Sequence, residues 1–213
     1  PPGSTFALFS PARVRVSASH SSMIPSPPYL SAAFAVAVQE YRQHGDIAAL
    51  LDRMKALSLA ADPEMLIPAS APYHDLPEVV IPVYERVVAA RPDDAQPMVI
   101  LANAYWLTGR GADVVGALAT RAIAADINNR GAWHLWSLSE SNPRARMERW
   151  QQVTERFPAD QLARAALADN AASLAGAEHD PLALDLAVRT YESLWAQASR
   201  DEERRALEET IAK

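Results

Sequence analysis

Residues 95–129, AQPMVILANAYWLTGRGADVVGALATRAIAADINN, are the stretch that decides the fold of this 213-residue chain. Apolar and small side chains recur there at intervals of three and four, which is the spacing of one face of an α-helix. The first such stripe consists of Met98, Leu101, Ala102 and Tyr105. Gly109 then interrupts the pattern, and glycine is the residue that most often ends a helix. The segment therefore predicts two helices joined by a short turn.

This helix pair resembles one tetratricopeptide repeat (TPR). In that family, helix A carries a large residue, a leucine, a small residue and an aromatic before a turn with glycine, and helix B has small residues where the helices cross. The matching positions are Met98, Leu101, Ala102, Tyr105, Gly109 and Ala122. Ile127 stands where the family usually has proline, and the turn is one residue longer. The resemblance implies stacked helix pairs that bind another protein or a peptide.

Similar patterns lie upstream. Phe34, Ala37, Val38 and Tyr41 share one helix face, and Gly45 follows as a stop signal. A second helix should end near residues 62–63, and another covers residues 80–91. Its partner in residues 64–73 contains Pro68 and Pro72, so this helix A should be short or irregular.

Downstream, four more helices and a terminal segment follow, and the first of these helices contains Trp133, Trp136 and Ser137. Asn142 before a proline predicts a helix start, and the helix should end near residue 157. Residues 165–175 and 181–198 form a further pair, with Asp180 as N-cap. Glycines 45, 109 and 176 are 64 and 67 residues apart, close to two repeat lengths. Charged residues 201–213, with Leu207 and Ile211, are typical of a solenoid cap.

We therefore predict an all-α fold. The resemblance implies a right-handed superhelical solenoid of four to five antiparallel helix pairs over residues 29–213, with a C-terminal capping helix. Residues 1–28 form a separate N-terminal arm, rich in Pro and Ser, with Arg13 and Arg15 and no acid. Three interpretations stay open for it: vector or upstream sequence before a natural start at Met23, the remainder of a processed targeting segment, or a functional arm that mediates self-association.

Composition narrows the classes of function. A formal charge of −6 and a pI near 5.4 argue against a nucleic-acid partner, because that affinity comes largely from Lys and Arg. The most apolar stretch, residues 29–38, is about half of the ~20 residues that a transmembrane helix needs, so we expect no membrane insertion. The absence of cysteine leaves the compartment open; cytoplasmic is the default, and export is not excluded.

No constellation of catalytic, metal-binding or cofactor-binding residues stands out. The five histidines lack ligand spacing, and Gly109, Gly111 and Gly116 do not follow a strand or precede a Lys-Ser/Thr pair. No Gly-x-Ser-x-Gly motif is present. We therefore predict no catalytic residues, no metal, no cofactor and no enzyme activity.

The resemblance also implies a binding site. In TPR arrays, helix A residues beside the buried stripe line a concave groove. The corresponding residues here are Gln96, Val99, Asn103, Trp106, Leu107, His134 and Leu138. Asn103 can pair with a peptide backbone, and Trp106 offers a rigid apolar face. Val99 stands where the carboxylate-clamp subclass has a lysine, so chaperone-tail binding is not supported.

Two hypotheses follow. The first is a scaffold or adaptor whose groove binds a partly apolar, neutral or basic protein segment; in one version the N-terminal arm occupies the groove, and deleting residues 1–28 raises partner affinity. The second is a helical enzyme or small-molecule sensor with a pocket near Trp133, His134 and Trp136. An open groove favours the first, and an enclosed cavity favours the second. The partner, the pathway and the oligomeric state are not encoded in any motif.

Overall fold

A computed structural model describes residues 27–212, and this part of the chain contains helices and turns without strands. A single 3₁₀ turn, Ala71–Tyr73, follows the third helix. The predicted arm lies outside the described residues, apart from its last two, which begin the first helix. The helices are α1 Pro27–His44, α2 Ile47–Ala60, α3 Pro63–Ser70, α4 Pro77–Ala90, α5 Ala95–Leu107, α6 Ala112–Ala125, α7 Arg130–Leu138, α8 Pro143–Arg156, α9 Gln161–Glu178, α10 Pro181–Gln197 and α11 Asp201–Ile211.

The helices pack as five consecutive pairs, α1/α2 to α9/α10, and α11 packs on α10. From α4 onward, the second helix of each pair also contacts the first helix of the next pair. At the N-terminal end, α1 packs on α3 and α2 on α4. Neighbour-to-neighbour packing of this kind defines a solenoid. The prediction of an all-α solenoid of four to five pairs with a capping helix is confirmed.

Aspartate or asparagine caps most of the helix starts. In each case the side-chain oxygen accepts a hydrogen bond from a backbone N–H of the first turn, which otherwise has no intrahelical partner. These caps are Asp46, Asp62, Asp94, Asn129, Asn142, Asp160 and Asp180. Each cap is worth about 0.5–2 kcal/mol. The predicted starts at Asn142 and Asp180 are confirmed.

The turns differ from the prediction at one glycine. Gly45 and Gly109 have φ of 71° and 69° and follow helix ends, as predicted. Gly176, in contrast, lies inside α9, and the chain leaves that helix at His179, whose φ is 54°. The expectation that Gly176 punctuates a repeat was wrong. At the end of α9 the left-handed backbone conformation is adopted by His179 and not by a glycine, so the spacing of the glycines did not locate this turn.

Proline shortens α3. Pro68 lies within this eight-residue helix, and Pro72 lies in the 3₁₀ turn that follows. A proline has no N–H to donate, so the chain cannot extend one regular helix across both positions. The prediction of a short helix A is confirmed.

The buried side chains form two clusters. The first runs from Leu30 to Leu135, and the second from Met147 to Tyr191. Helix α7 belongs to both: Leu135 is part of the first cluster, and Trp133 packs against the second. The contact between α7 and the following helices therefore joins two halves of the core.

Helix α11 covers part of the last pair. Leu207 and Ile211 are half-buried against the second cluster, in agreement with the predicted cap. Trp195 of α10 lies at the surface beside α11. Its ring is 40% exposed, and its Nε1–H donates to Glu208 Oε1 of α11 at 3.0 Å. This hydrogen bond links α10 to the capping helix α11.

Candidate functional site

Five of the seven predicted groove residues lie on α5, and three of these line one hollow. The hollow has a volume of about 210 Å³ and lies between α5 and the start of α4. We call it the α5 hollow; it is lined by His74, Pro77, Val80, Val99, Ile100, Asn103, Ala104 and Leu107. Residues 99, 103 and 107 are spaced by four, so α5 presents them on one face. The buried stripe through Met98 and Leu101 holds the opposite face of the helix in the core.

The α5 hollow combines an apolar lining with two polar groups. Val80 and Val99 supply branched apolar surface, and Asn103 is exposed with an amide that can donate and accept. Leu107 is 69% exposed at the rim. Such a lining can receive an apolar side chain while the amide bonds to a backbone. Its volume is below the ~300–1,000 Å³ of small-molecule sites.

His74 is held at the edge of the hollow by Tyr84. His74 Nε2 and the Tyr84 hydroxyl lie 3.0 Å apart, and the two rings meet edge to face at 5.8 Å. Tyr84 is buried, and this burial raises the pKa of its hydroxyl despite a hydrogen bond with Ser70. The phenol therefore stays protonated and keeps a fixed partner for the imidazole.

The remaining two α5 residues lie away from the hollow. Gln96, in the first turn, accepts a hydrogen bond of 3.4 Å from Asn129 before α7. Trp106, in the last turn, is 39% exposed. Val99 forms the link toward α7, since a Cβ at Gly131 would lie 3.0 Å from Val99 Cγ1. Glycine at 131 thus allows the start of α7 to approach α5 closely.

The two predicted residues of α7 have different surroundings. Leu138 is exposed in the last turn, as a surface role requires. His134 points into a helix junction instead: its Nε2 lies 2.7 Å from Asp160 Oδ2, and its ring meets that of Trp150 edge to face at 5.2 Å. An ionised carboxylate only accepts hydrogen bonds, so the imidazole carries a proton on Nε2.

Asp160 joins this junction to the start of α9. Its Oδ1 accepts from the backbone N–H of Leu162 and of Ala163. Burial alone would raise the pKa of Asp160, but the backbone bond from Ala163 and the bond with His134 outweigh it and hold that pKa below its ordinary value. His134 is therefore part of a structural joint between α7 and α9.

The region of the alternative pocket is filled by packed side chains. Trp133 and Trp136 meet edge to face at 5.5 Å, and Trp133 Nε1–H donates to the Ile127 carbonyl at 2.9 Å. The guanidinium of Arg149 lies 4.3 Å from the Trp136 ring centre, and that of Arg156 lies 5.7 Å from Trp133. These cation–π contacts cover both indoles. The two tryptophans expected to line an enzyme or sensor pocket are therefore packed against each other and against arginines of α8.

Two further observations concern metal binding and membrane spanning. In the described part of the chain, no three His, Asp or Glu side chains come together in an arrangement that could hold a metal ion. Among residues 27–212, no helix combines the length and apolar character needed to cross a bilayer.

Sequence reasoning missed His74, although a signal for it exists. The N-caps Asp62 and Asp94 are 32 positions apart (94 − 62), and His74 and Trp106 are also 32 apart (106 − 74). Aligning the two repeats by their caps places His74 at the position equivalent to Trp106. The prolines of α3 obscured this correspondence.

This architecture defines the chain as a TPR-like solenoid. Two crystal structures of MamA share it: one is 16% identical over 80% of this chain and 96% of that chain, with a TM-score of 0.55, and another is 18% identical over 81% and 95%, with a TM-score of 0.54. The thermophilic TPR protein TTC0263 of Thermus thermophilus is 18% identical over 86% of this chain and 98% of that chain, with a TM-score of 0.52. Identities this low show a common fold alone.

No family model and no curated protein sequence matches the chain. The likeness therefore exists in the arrangement of helices rather than in the residues of the site. The residues of the α5 hollow must be interpreted from their own contacts.

Proposed function

We propose that this protein is a scaffold that binds a segment of another protein along the open face of α5. One apolar side chain of the segment enters the α5 hollow, and Asn103 pairs with its backbone. The observation that carries this proposal is the convergence of Val99, Asn103 and Leu107 with His74 around one open hollow. A hollow of 210 Å³ suits a side chain better than a free metabolite.

The charge of the chain indicates which segments would be favoured. With 20 basic and 26 acidic residues, the formal net charge is −6. A neutral or basic segment therefore meets less repulsion and associates faster than an acidic one. Trp106 and Leu138, exposed near the ends of α5 and α7, would extend the apolar contact beyond the hollow. His134 is not included in this proposal, because its ring is engaged with Asp160.

A double substitution on α5 tests the proposal. Asn103→Ala with Trp106→Ala should reduce recovery of the bound partner at least roughly tenfold, because tryptophan contacts are among those that dominate interfaces and the hydrogen bonds of the Asn103 amide are lost as well. Both positions are exposed, so helix α5 should keep its fold. The measurement is quantitative mass spectrometry of proteins retained by the immobilised full chain, followed by titration with peptides from the recovered partner.

Val114→Ala provides the matched control. Val114 lies on α6 and is 40% exposed, close to the 39% of Trp106. This variant should retain the partner at the wild-type level. Equal recovery by the double variant and by the wild type would rule out the α5 face as the binding site.

A further inference from the structure

An apolar groove of about 620 Å³ opens at the C-terminal end of the solenoid, away from the α5 hollow. It lies between α9 and α10, beside the last turn of α11. Small side chains form its floor, and branched side chains form its walls. The residues that matter here are Ala172, Gly176, Ala187, Leu184, Val188 and Ile211.

The groove exists because α11 is shorter than the helix it covers. Helix α10 has 17 residues and α11 has 11. At 1.5 Å per residue these are about 25 and 16 Å long. Trp195 near the end of α10 bonds to Glu208, while Ile211 reaches the level of Leu184 and Val188, so α11 runs back along α10. Leu184 lies in the first turn of α10, so α11 ends beside the first two turns of that helix, and the groove opens there.

The open part of the groove exposes a large apolar side chain. Leu184 is 54% exposed at the groove. Ala187 beneath it is buried in the core of the α9/α10 pair. Apolar side chains exposed around a groove can be buried by the apolar face of a partner segment. A trough between two antiparallel helices has the shape to receive another helix.

The surroundings of the groove carry excess negative charge. Helix α11 has five acids and two arginines between Asp201 and Ile211, and its last turn contains Glu208 and Glu209 without a base. At the other end, Glu178 and Asp180 share a single cation, Arg144, at 2.5 and 2.9 Å. An arriving segment with Lys or Arg is therefore attracted, and an acidic one is repelled.

We propose that this groove docks a short helix of a partner protein, about two turns of which present Leu or Ile to the groove while Lys or Arg faces the acids of α11. This mode is the binding of an amphipathic helix in an apolar groove. The site is separate from the α5 hollow, and neither proposal depends on the other.

Gly176 allows a test that preserves the fold. A Cβ at Gly176 would meet no atom within 4 Å, so side chains are accommodated, and replacing a helix-interior glycine improves helix propensity. Gly176→Leu fills the groove. Gly176→Ala makes the same backbone change and leaves the groove open, which makes it the matched control.

The probe is a synthetic acetylated peptide of about 14 residues with leucines spaced three and four apart and lysines on the flanks, long enough to form a helix. The full-length protein is labelled at alanine methyls, and binding is followed by NMR. We expect shifts at Ala172 and Ala187, roughly tenfold or greater loss of affinity in Gly176→Leu, and wild-type affinity in Gly176→Ala. A peptide with Glu in place of Lys should bind more weakly.

Other results would overturn the proposal. These are an unchanged affinity in Gly176→Leu, no shift of the groove alanines at millimolar peptide, or equal binding of the Glu peptide. If wild-type protein is a dimer that Gly176→Leu converts to monomer, the occupant is a second copy of this chain. If a peptide of residues 5–16 displaces the probe with higher affinity, the occupant is the chain's own N-terminal segment.

Discussion

Replacing Asp160 with alanine is expected to lower the free energy of unfolding by about 2–4 kcal/mol, among the largest effects of any polar substitution in this chain. The variant loses the N-cap of α9 and leaves His134 without its partner inside the junction. Loss of a cap costs about 1 kcal/mol, and an unpaired buried polar group costs about 1–3 kcal/mol. Chemical denaturation at pH 7 measures the change.

Asp160→Asn separates the two contributions. Asparagine caps helices as well as aspartate, so the bonds to the first turn of α9 remain. The charge that faces His134 and Arg130 is removed, and the loss should be about 1 kcal/mol. An ordinary surface substitution changes the free energy of unfolding by about 0.5 kcal/mol or less. If Asp160→Ala differs from the wild type by no more than this, the junction does not stabilise the fold.

The direction of the pH dependence follows from the lowered pKa of Asp160. The folded state binds the proton less readily than the unfolded state, whose pKa is about 3.9. The stabilisation is therefore complete above the unfolded pKa and is lost as the pH falls through the lower, folded pKa. The difference in stability between wild type and Asp160→Asn should narrow from pH 7 to pH 3.

Trp150→Ala should cost about 3–5 kcal/mol, the range for truncating a large buried aromatic side chain. Trp150 is 2% exposed and meets the His134 ring at the junction of α7, α8 and α9. Trp150→Phe is the control, because it keeps an aromatic ring against His134 and should lose less than half as much. Denaturant titration measures both.

Trp150→Ala should also make the two clusters of buried side chains unfold at different denaturant concentrations. In a solenoid, each unit is stabilised by its neighbours, so weakening one junction lets the two sides unfold at different points. Hydrogen exchange of Trp150→Ala should show protection falling in α8 to α10 before it falls in α4 to α6. Loss of protection in both regions together would show that the fold is one cooperative unit despite its two clusters.

Local patterns in the sequence predicted the features that depend on neighbouring residues. The stripe through Met98 and Tyr105, the caps at Asn142 and Asp180 and the stop at Gly45 are confirmed, because each is determined within one or two helical turns. The solenoid follows from repeating such units.

Features that depend on distant contacts were not predictable in this way. His134 turns toward Asp160, 26 residues away, and Trp195 remains at the surface because α11 approaches its N–H from one side. Spacing along one helix cannot reveal either partner. For the same reason, the sequence placed Asn103 and Leu107 on one helix face but did not reveal His74 as their neighbour. The use of that face as a groove stays a prediction.

Site-specific photocrosslinking tests the central claim, which is that the open face of α5 holds a guest segment. A photoreactive amino acid replaces Leu107, at the rim of the α5 hollow, or Thr120, which is exposed on α6. The crosslinked partner peptides are then identified by mass spectrometry. We expect position 107 to capture one partly apolar segment of the partner and position 120 to capture none. Capture from position 120 with none from position 107 would contradict the account.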